Sequence, residues 1–127
     1  MNTPLGEPAP RLSSSQLGRA GEDIACAFLT ARGLHIVARN WRCRHGELDL
    51  VARRPGLVVI GEVKTRRGHS CGEAAESVTP DKLRRLRTVA RCWLAASSCH
   101  ASVVRFDVVV VEWSGATLSC THYLGVD

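Results

Sequence analysis

Two short runs of this sequence hold residue types that can do chemistry together: Gly46-Glu47-Leu48-Asp49-Leu50-Val51 and, beyond a turn, Gly61-Glu62-Val63-Lys64. Side chains alternate along a strand, so Glu47, Asp49 and Val51 share one face. Val58, Ile60, Glu62 and Lys64 share a face of the next strand. Arg53-Arg54-Pro55-Gly56 carries a turn signal. A hairpin closed by a loop from Arg54 to Leu57 sets Arg53 opposite Val58, Asp49 opposite Glu62 and Glu47 opposite Lys64. Directly opposed residues hold their Cβ atoms about 4.5–5.5 Å apart. Two carboxylates that close repel unless a cation stands between them.

A divalent metal suits that arrangement. Mg²⁺ and Mn²⁺ prefer oxygen ligands, and Mg²⁺ commonly takes one or two carboxylates with water and a substrate phosphate. Asp49 and Glu62 would supply the carboxylates, and the backbone carbonyl of Val63 lies near enough to add a ligand. Lys64 would point at the same site, where an ammonium stabilises charge on a phosphate oxygen or orients water. Water activated by the metal would then attack phosphorus. The same residues could instead form cross-strand ion pairs worth roughly 0.2–1 kcal/mol. Against that, Val58 and Ile60 make the charges the continuation of an apolar row, and Trp41, Leu48, Leu50, Val59 and Val63 fill the opposite row. Buried acids need partners. The pattern by itself leaves both readings open.

The elements that must position these residues follow from periodicity and capping. Ser13-Ser14-Ser15 offers N-caps for a first helix that ends near Gly33. Leu17, Ala20, Ile24, Ala27, Phe28 and Ala31 mark its core face, and Gln16, Arg19, Asp23 and Thr30 its wet stripe. Glu22 lies off that stripe, on an edge with Cys26 and Leu29. It reads either as a carboxylate leaning toward a site or as an ordinary first-turn Glu favoured by the helix dipole. Leu34–Ala38 reads as a short strand, Trp41–Arg53 as a longer one and Leu57–Lys64 as a third. Arg66–Ser77 reads as an irregular loop. Thr79 caps a second helix with Pro80 at its first position. Its apolar stripe is Leu83, Leu86, Ala90, Trp93 and Leu94, and its opposite side is basic: Lys82, Arg84, Arg85, Arg87 and Arg91. Val103–Glu112 and Thr117–Leu124 complete the set of strands. Asp107, within Arg105-Phe106-Asp107, reads as structural, pairing with a basic neighbour.

Length and composition agree with one domain over residues 12–127, preceded by a Pro-rich flexible arm at 1–11. Seventeen Lys and Arg against twelve Asp and Glu give a net charge of +5, which favours an anionic partner such as nucleic acid. No apolar run approaches the roughly 20 residues of a membrane span, and no signal peptide is seen near Met1, so a cytoplasmic location is expected. The six cysteines lack the paired spacing of zinc knuckles and read as reduced thiols, mostly in the core. Cys43/His45, His69/Cys71 and Cys120/His122 each set a thiol two residues from an imidazole, a weak zinc signal. No Gly-rich phosphate loop or local nucleophile signature appears.

Five motifs in order carry a resemblance: Gly18-Arg19-Ala20-Gly21-Glu22, Arg39-Asn40-Trp41-Arg42-Cys43-Arg44, the two acidic runs with Thr65-Arg66 after Lys64, and Arg105-Phe106-Asp107-Val108-Val109. Together they resemble the bacterial YraN family, of restriction-endonuclease-like fold, within the PD-(D/E)xK superfamily that includes archaeal Holliday junction resolvases. The resemblance runs from about Leu17 to the C-terminus. It implies an α/β fold, a mixed central sheet flanked by helices in the order α-β-β-β-α-β-β. It implies a catalytic set of Glu22, Asp49, Glu62 and Lys64. Asp49, Glu62 and the Val63 carbonyl would hold Mg²⁺ or Mn²⁺, with Glu22 acting through water, and Lys82 takes a position that often carries another polar site residue. Leu48 stands where the superfamily label has proline. The implied activity is metal-dependent phosphodiester hydrolysis on branched or damaged DNA, with Lys82, Arg84, Arg85, Arg87 and Arg91 on phosphates. Two-fold symmetric junctions would suit a homodimer. The alternative is a nucleic-acid-binding accessory protein that keeps the fold without useful catalysis.

Overall fold

The computed structural model describes residues 13–68 and 78–126. The expected N-terminal arm at 1–11 and most of the expected loop, with His69 and Cys71, lie outside the described residues. The elements are α1 (Ser14–Ala31), β1 (His35–Cys43), β2 (Gly46–Arg54), β3 (Leu57–Arg67), α2 (Pro80–Ser97), β4 (Val103–Ser114) and β5 (Thr117–Tyr123). The five strands form one sheet in the order β1-β2-β3-β4-β5. Only β3 and β4 run parallel; the other neighbours are antiparallel. Short turns join the antiparallel pairs, whereas the parallel pair needs the α2 crossover. The α/β fold and its order α-β-β-β-α-β-β are as expected from the sequence.

Each face of the sheet has its own helix and its own core. Ala25, Cys26 and Leu29 of α1 pack with Leu50, Ala52, Val59, Val109 and Val111. Leu86, Val89, Ala90 and Trp93 of α2 pack with Val51, Val58, Ile60 and Phe106. A strand covered on both faces reads as a continuous apolar run, as Leu57–Ile60 and Val108–Val111 do. Ser13 and Gln16 form a reciprocal capping box that starts α1. Thr79 caps α2, with Pro80 in its first turn. The buried edge of α1 is Gly21, Ala25, Cys26 and Leu29, while Ala27 and Ala31 are exposed. That face is rotated from the expected stripe toward the side that carries Glu22.

Several boundaries differ from expectation. Trp41–Cys43 belongs to β1, and Arg44-His45 turns the chain into β2, so the expected single strand from Trp41 to Arg53 is two strands. Asn40, which falls between the two expected strands, instead stays within β1 in a left-handed conformation with φ 50°, one Asn tolerates better than most residues. The β2–β3 hairpin pairs Arg54 with Leu57, leaving only Pro55-Gly56 as its loop. Gly56 takes φ +80°, which a Pro-Gly turn requires at its second central position. β3 runs to Arg67, β4 to Ser114, and β5 stops at Tyr123.

Candidate active site at the fork between two strands

The β2–β3 ladder ends at Leu50↔Gly61. Past that pair β2 continues against β1, through Trp41↔Leu48 to Cys43↔Gly46, while β3 continues against β4 to Arg67↔Trp113. The sheet therefore forks. Asp49 and Glu62 are the first residues beyond the last pair, one on each prong. A buried ladder N–H that has lost its strand must find another acceptor. Val63 N–H finds one in Asp49 Oδ2, at 2.9 Å.

Strand alternation also breaks here. Leu50 joins the α1-side core, yet Leu48 and Val51 both join the α2-side core. On the neighbouring strand Ala38 and Trp41, three residues apart, share the α2 side. Asn40 lies between the pairs Arg39↔Leu50 and Trp41↔Leu48, across from Asp49. The expected row of Trp41, Leu48 and Leu50 opposite Asp49 is thus corrected. A perfect period of two fails where the strands part, and the irregularity lets Asp49 reach across the fork. The expected pairing of Glu47 with Lys64 is lost for the same reason; Glu47 sits opposite Arg42 and bonds it at 3.4 Å.

Helices close the site from both sides. On the α2 side a cavity of about 240 Å³ is lined by His45, Glu47, Asp49, Glu62, Lys82, Arg85 and Val89. Lys82 Nζ meets Glu62 Oε2 at 2.6 Å, both side chains being partly shielded. The Thr79 cap fixes this first turn, accepting from Lys82 N–H at 3.1 Å. On the α1 side a second cavity of about 530 Å³ is lined by Glu22, Glu47, Arg19, Arg39 and Arg42. Glu47 borders both cavities. Glu22 stands there because α1 touches β3: a Cβ on Gly21 would collide with the Thr65 side chain.

The electrostatics are those of an acid short of cations. Burial and then the Glu62 charge push the Asp49 carboxyl up to about 7, with Val63 N–H opposing and Glu22 and Glu47 adding to the rise. Like charges sharing a site raise one another's pKa. A divalent cation would relieve that strain. Among the described residues no set of three or more His, Cys, Asp or Glu is placed to hold a metal. Two carboxylates with water still fit Mg²⁺, which seldom uses an all-protein cage.

Of the expected site residues, Asp49 and Glu62 line one cavity, and Glu22 acts on Asp49 through its charge from the adjoining cavity. Lys64 follows Glu62 on the same face by alternation, with its Cα paired to Val110. Val63 presents its N–H to Asp49. Lys82 is turned onto Glu62, Arg84 pairs with Asp81, and Arg91 reaches Thr88 at 3.5 Å. Of the expected basic helix face, Arg85 joins Lys82 in lining the cavity. The sequence reading missed Glu47 as the residue common to both cavities, because it assumed an unbroken hairpin.

A separate buried cluster lies on β4 and β5. Asp107, fully buried, accepts from Arg105 Nε and a second guanidinium nitrogen, both at 2.9 Å, and from Gly125 N–H at 2.9 Å. His122 Nε2 lies 2.7 Å from Asp107 Oδ2. The expected pairing of Asp107 with a basic neighbour is present. Of the weak Cys120/His122 zinc signal, the imidazole is committed to Asp107.

The fold and site define a small α/β domain with a forked five-stranded sheet, a helix on each face and an acidic pair at the fork. Residues 21–111 match the uncharacterised protein family UPF0102. A UPF0102 protein of Mycolicibacterium smegmatis is 51% identical over 103 residues, covering 80% of this chain and 83% of its own. Another from Rhodococcus opacus is 53% identical over 95 residues, 75% of this chain and 80% of its own. One from Mycolicibacterium vanbaalenii is 45% identical over 115 residues, covering 90% and 95%. This chain belongs to the UPF0102 family, the YraN family its motifs resemble.

Proposed function

We propose that this protein is a metal-dependent phosphodiesterase acting on DNA, on branched or damaged structures in preference to plain duplex. The observation that carries the reading is the raised Asp49 carboxyl, held beside Glu62 in one cavity at the fork of the sheet. A strongly perturbed acid in a cleft, with a named charged neighbour, is a candidate functional group. Asp49 and Glu62 would hold Mg²⁺ or Mn²⁺, with Glu22 acting through water; the metal would activate water and polarise a phosphoryl oxygen. Asp49 is oriented by Val63 N–H. Lys64, on the Glu62 face, would neutralise charge on the phosphate. Lys82 and Arg85 border the cavity, and Arg84, Arg87 and Arg91 extend the basic side of α2; these would bind backbone phosphates, which position a duplex without reading its sequence. Junction substrates of two-fold symmetry would engage a homodimer, and the expected setting is the cytoplasm. Among the described residues no helix is long and apolar enough to cross a membrane.

The test is cleavage of duplex, single-stranded and four-way-junction DNA with each metal, comparing wild type with Asp49→Ala. Equal residual cutting by the two proteins would defeat the reading.

One contact favours a second reading, a DNA-binding accessory protein without catalysis. Lys82 already neutralises Glu62, as a cation would. Salt-sensitive DNA binding that survives Glu62→Ala, with no Mn²⁺ uptake by calorimetry, would support that role over the enzyme.

A further inference from the structure

The turn between β1 and β2 meets α2 through a second chemistry. Cys43 ends β1 and pairs with Gly46 across the Arg44-His45 turn. Gly46 lies against α2, where an added Cβ would approach Val89 Cγ2 to 3.2 Å. Cys43 packs against the core cluster that contains Val89, Cys92 follows Val89 by nearly one helical turn, and the two thiols are near enough to interact. Both residues are partly exposed free thiols. His45 N–H donates to Cys43 Sγ at 3.4 Å. The charges of Arg44 and Arg91 act on the Cys92 thiol and favour its ionised form. Burial, then the bond to Cys43, keeps the Cys92 thiol protonated above its ordinary range.

We infer that Cys43 and Cys92 are a peroxide-responsive thiol pair, whose oxidation forms a disulfide that fastens the β1–β2 turn to α2 at the edge of the candidate active-site cavity. Attack on a peroxide requires a thiol in its ionised form, and Cys43 is the attacker. It takes one oxygen of hydrogen peroxide; the O–O bond breaks, hydroxide leaves and is protonated to water, and Cys43 becomes a sulfenic acid. Cys92 gives up its proton and attacks Cys43 Sγ. The S–O bond breaks and the departing hydroxide takes that proton as the second water. Two electrons pass from the sulfurs to the peroxide, and a dithiol reductant reverses the step. His45, Gly46 and Val89 line the cavity, so the cross-link fixes one of its walls.

Peptide mapping after treatment of the full-length protein with a slight molar excess of peroxide tests the pair. The expected product is a Cys43–Cys92 linked peptide, removed by dithiothreitol and absent from Cys43→Ser and Cys92→Ser, but present in Cys26→Ser and Cys120→Ser. Oxidation should raise the Tm of wild type by about 10 °C and leave Cys92→Ser unmoved. The inference is overturned if wild-type Cys43 and Cys92 remain alkylatable after peroxide, or if the linkage joins either one to another cysteine; that result needs no variant to fold. An effect on DNA binding rests on the nuclease reading, but the cross-link does not, so each can fail alone.

Discussion

Asp49 and Asp107 are both withdrawn from water, on neighbouring parts of one sheet, and they are held in opposite electrostatic states. Asp107 pays its desolvation with a bidentate arginine, an imidazole and a backbone N–H, and its carboxyl lies below the ordinary range although burial alone would raise it. Asp49 has one N–H and three acidic neighbours, and it is pushed up to about 7. A carboxylate whose partners are supplied by the fold contributes to stability. One whose partners are withheld is destabilising until something arrives from outside. The difference separates the aspartate that stabilises this domain from the one at the centre of the proposed site.

The largest expected effect lies on the structural side. Asp107→Ala leaves the half-buried Arg105 and the buried His122 imidazole without their shared acceptor and should lower unfolding free energy by about 3–5 kcal/mol, read from urea unfolding. A loss below 1 kcal/mol would mean that Asp107 is no keystone.

Asp49→Ala should cut metal-dependent cleavage at least about 100-fold, near 3 kcal/mol of barrier. Its midpoint of thermal unfolding should be unchanged or higher. If it unfolds as readily as Asp107→Ala, the contrast between the two sites is false.

Acidity should sharpen the comparison further. With metal chelated, Asp49 is protonated in the folded chain up to about pH 7 but ionises near 3.8 when unfolded. The folded state therefore binds the extra proton across that window, and stability falls as pH rises through it. Asp49→Asn should remove this slope and exceed wild type by about 2 kcal/mol at pH 8, after discounting for partial exposure. Asp107 acts with the reverse sign. Its contribution is complete above its unfolded value, near 4, and drains away as pH falls through its lowered folded value. Denaturant titrations of both variants from pH 3 to 8 would show the two opposite slopes.

The smallest effect concerns Lys82. Its pair with Glu62 is partly exposed, so Lys82→Met should cost no more than about 1 kcal/mol of stability. Removing a positive charge from beside the carboxylates should tighten Mn²⁺ binding a few-fold by calorimetry. Weaker binding would instead make Lys82 a support for the metal site.

Much of the frame was legible before any coordinates. Runs such as Leu57–Ile60 and Val108–Val111 announce strands covered on both faces, Thr79-Pro80 announces a helix start, and the order of elements follows. The hairpin register was also right, since Arg53 does face Val58. What failed was the assumption that regular pairing continues. Arg39 and Asn40 fall between two expected strands but lie within β1; Asp49 is expected to pair with Glu62 but stands where the ladder ends.

Sequence alone determined which residues can carry charge, where apolar runs demand cover, and that Asp49, Glu62 and Lys64 sit a few residues from a tight turn. Those are local matters, governed by side-chain chemistry and backbone period. Tertiary structure decided that the strands part at Asp49, that Glu62 is met by Lys82, and that Asp107 is met by Arg105 and His122. Each depends on which residues distant in the chain stand within hydrogen-bond reach, and that reach sets whether a buried acid is satisfied or left waiting.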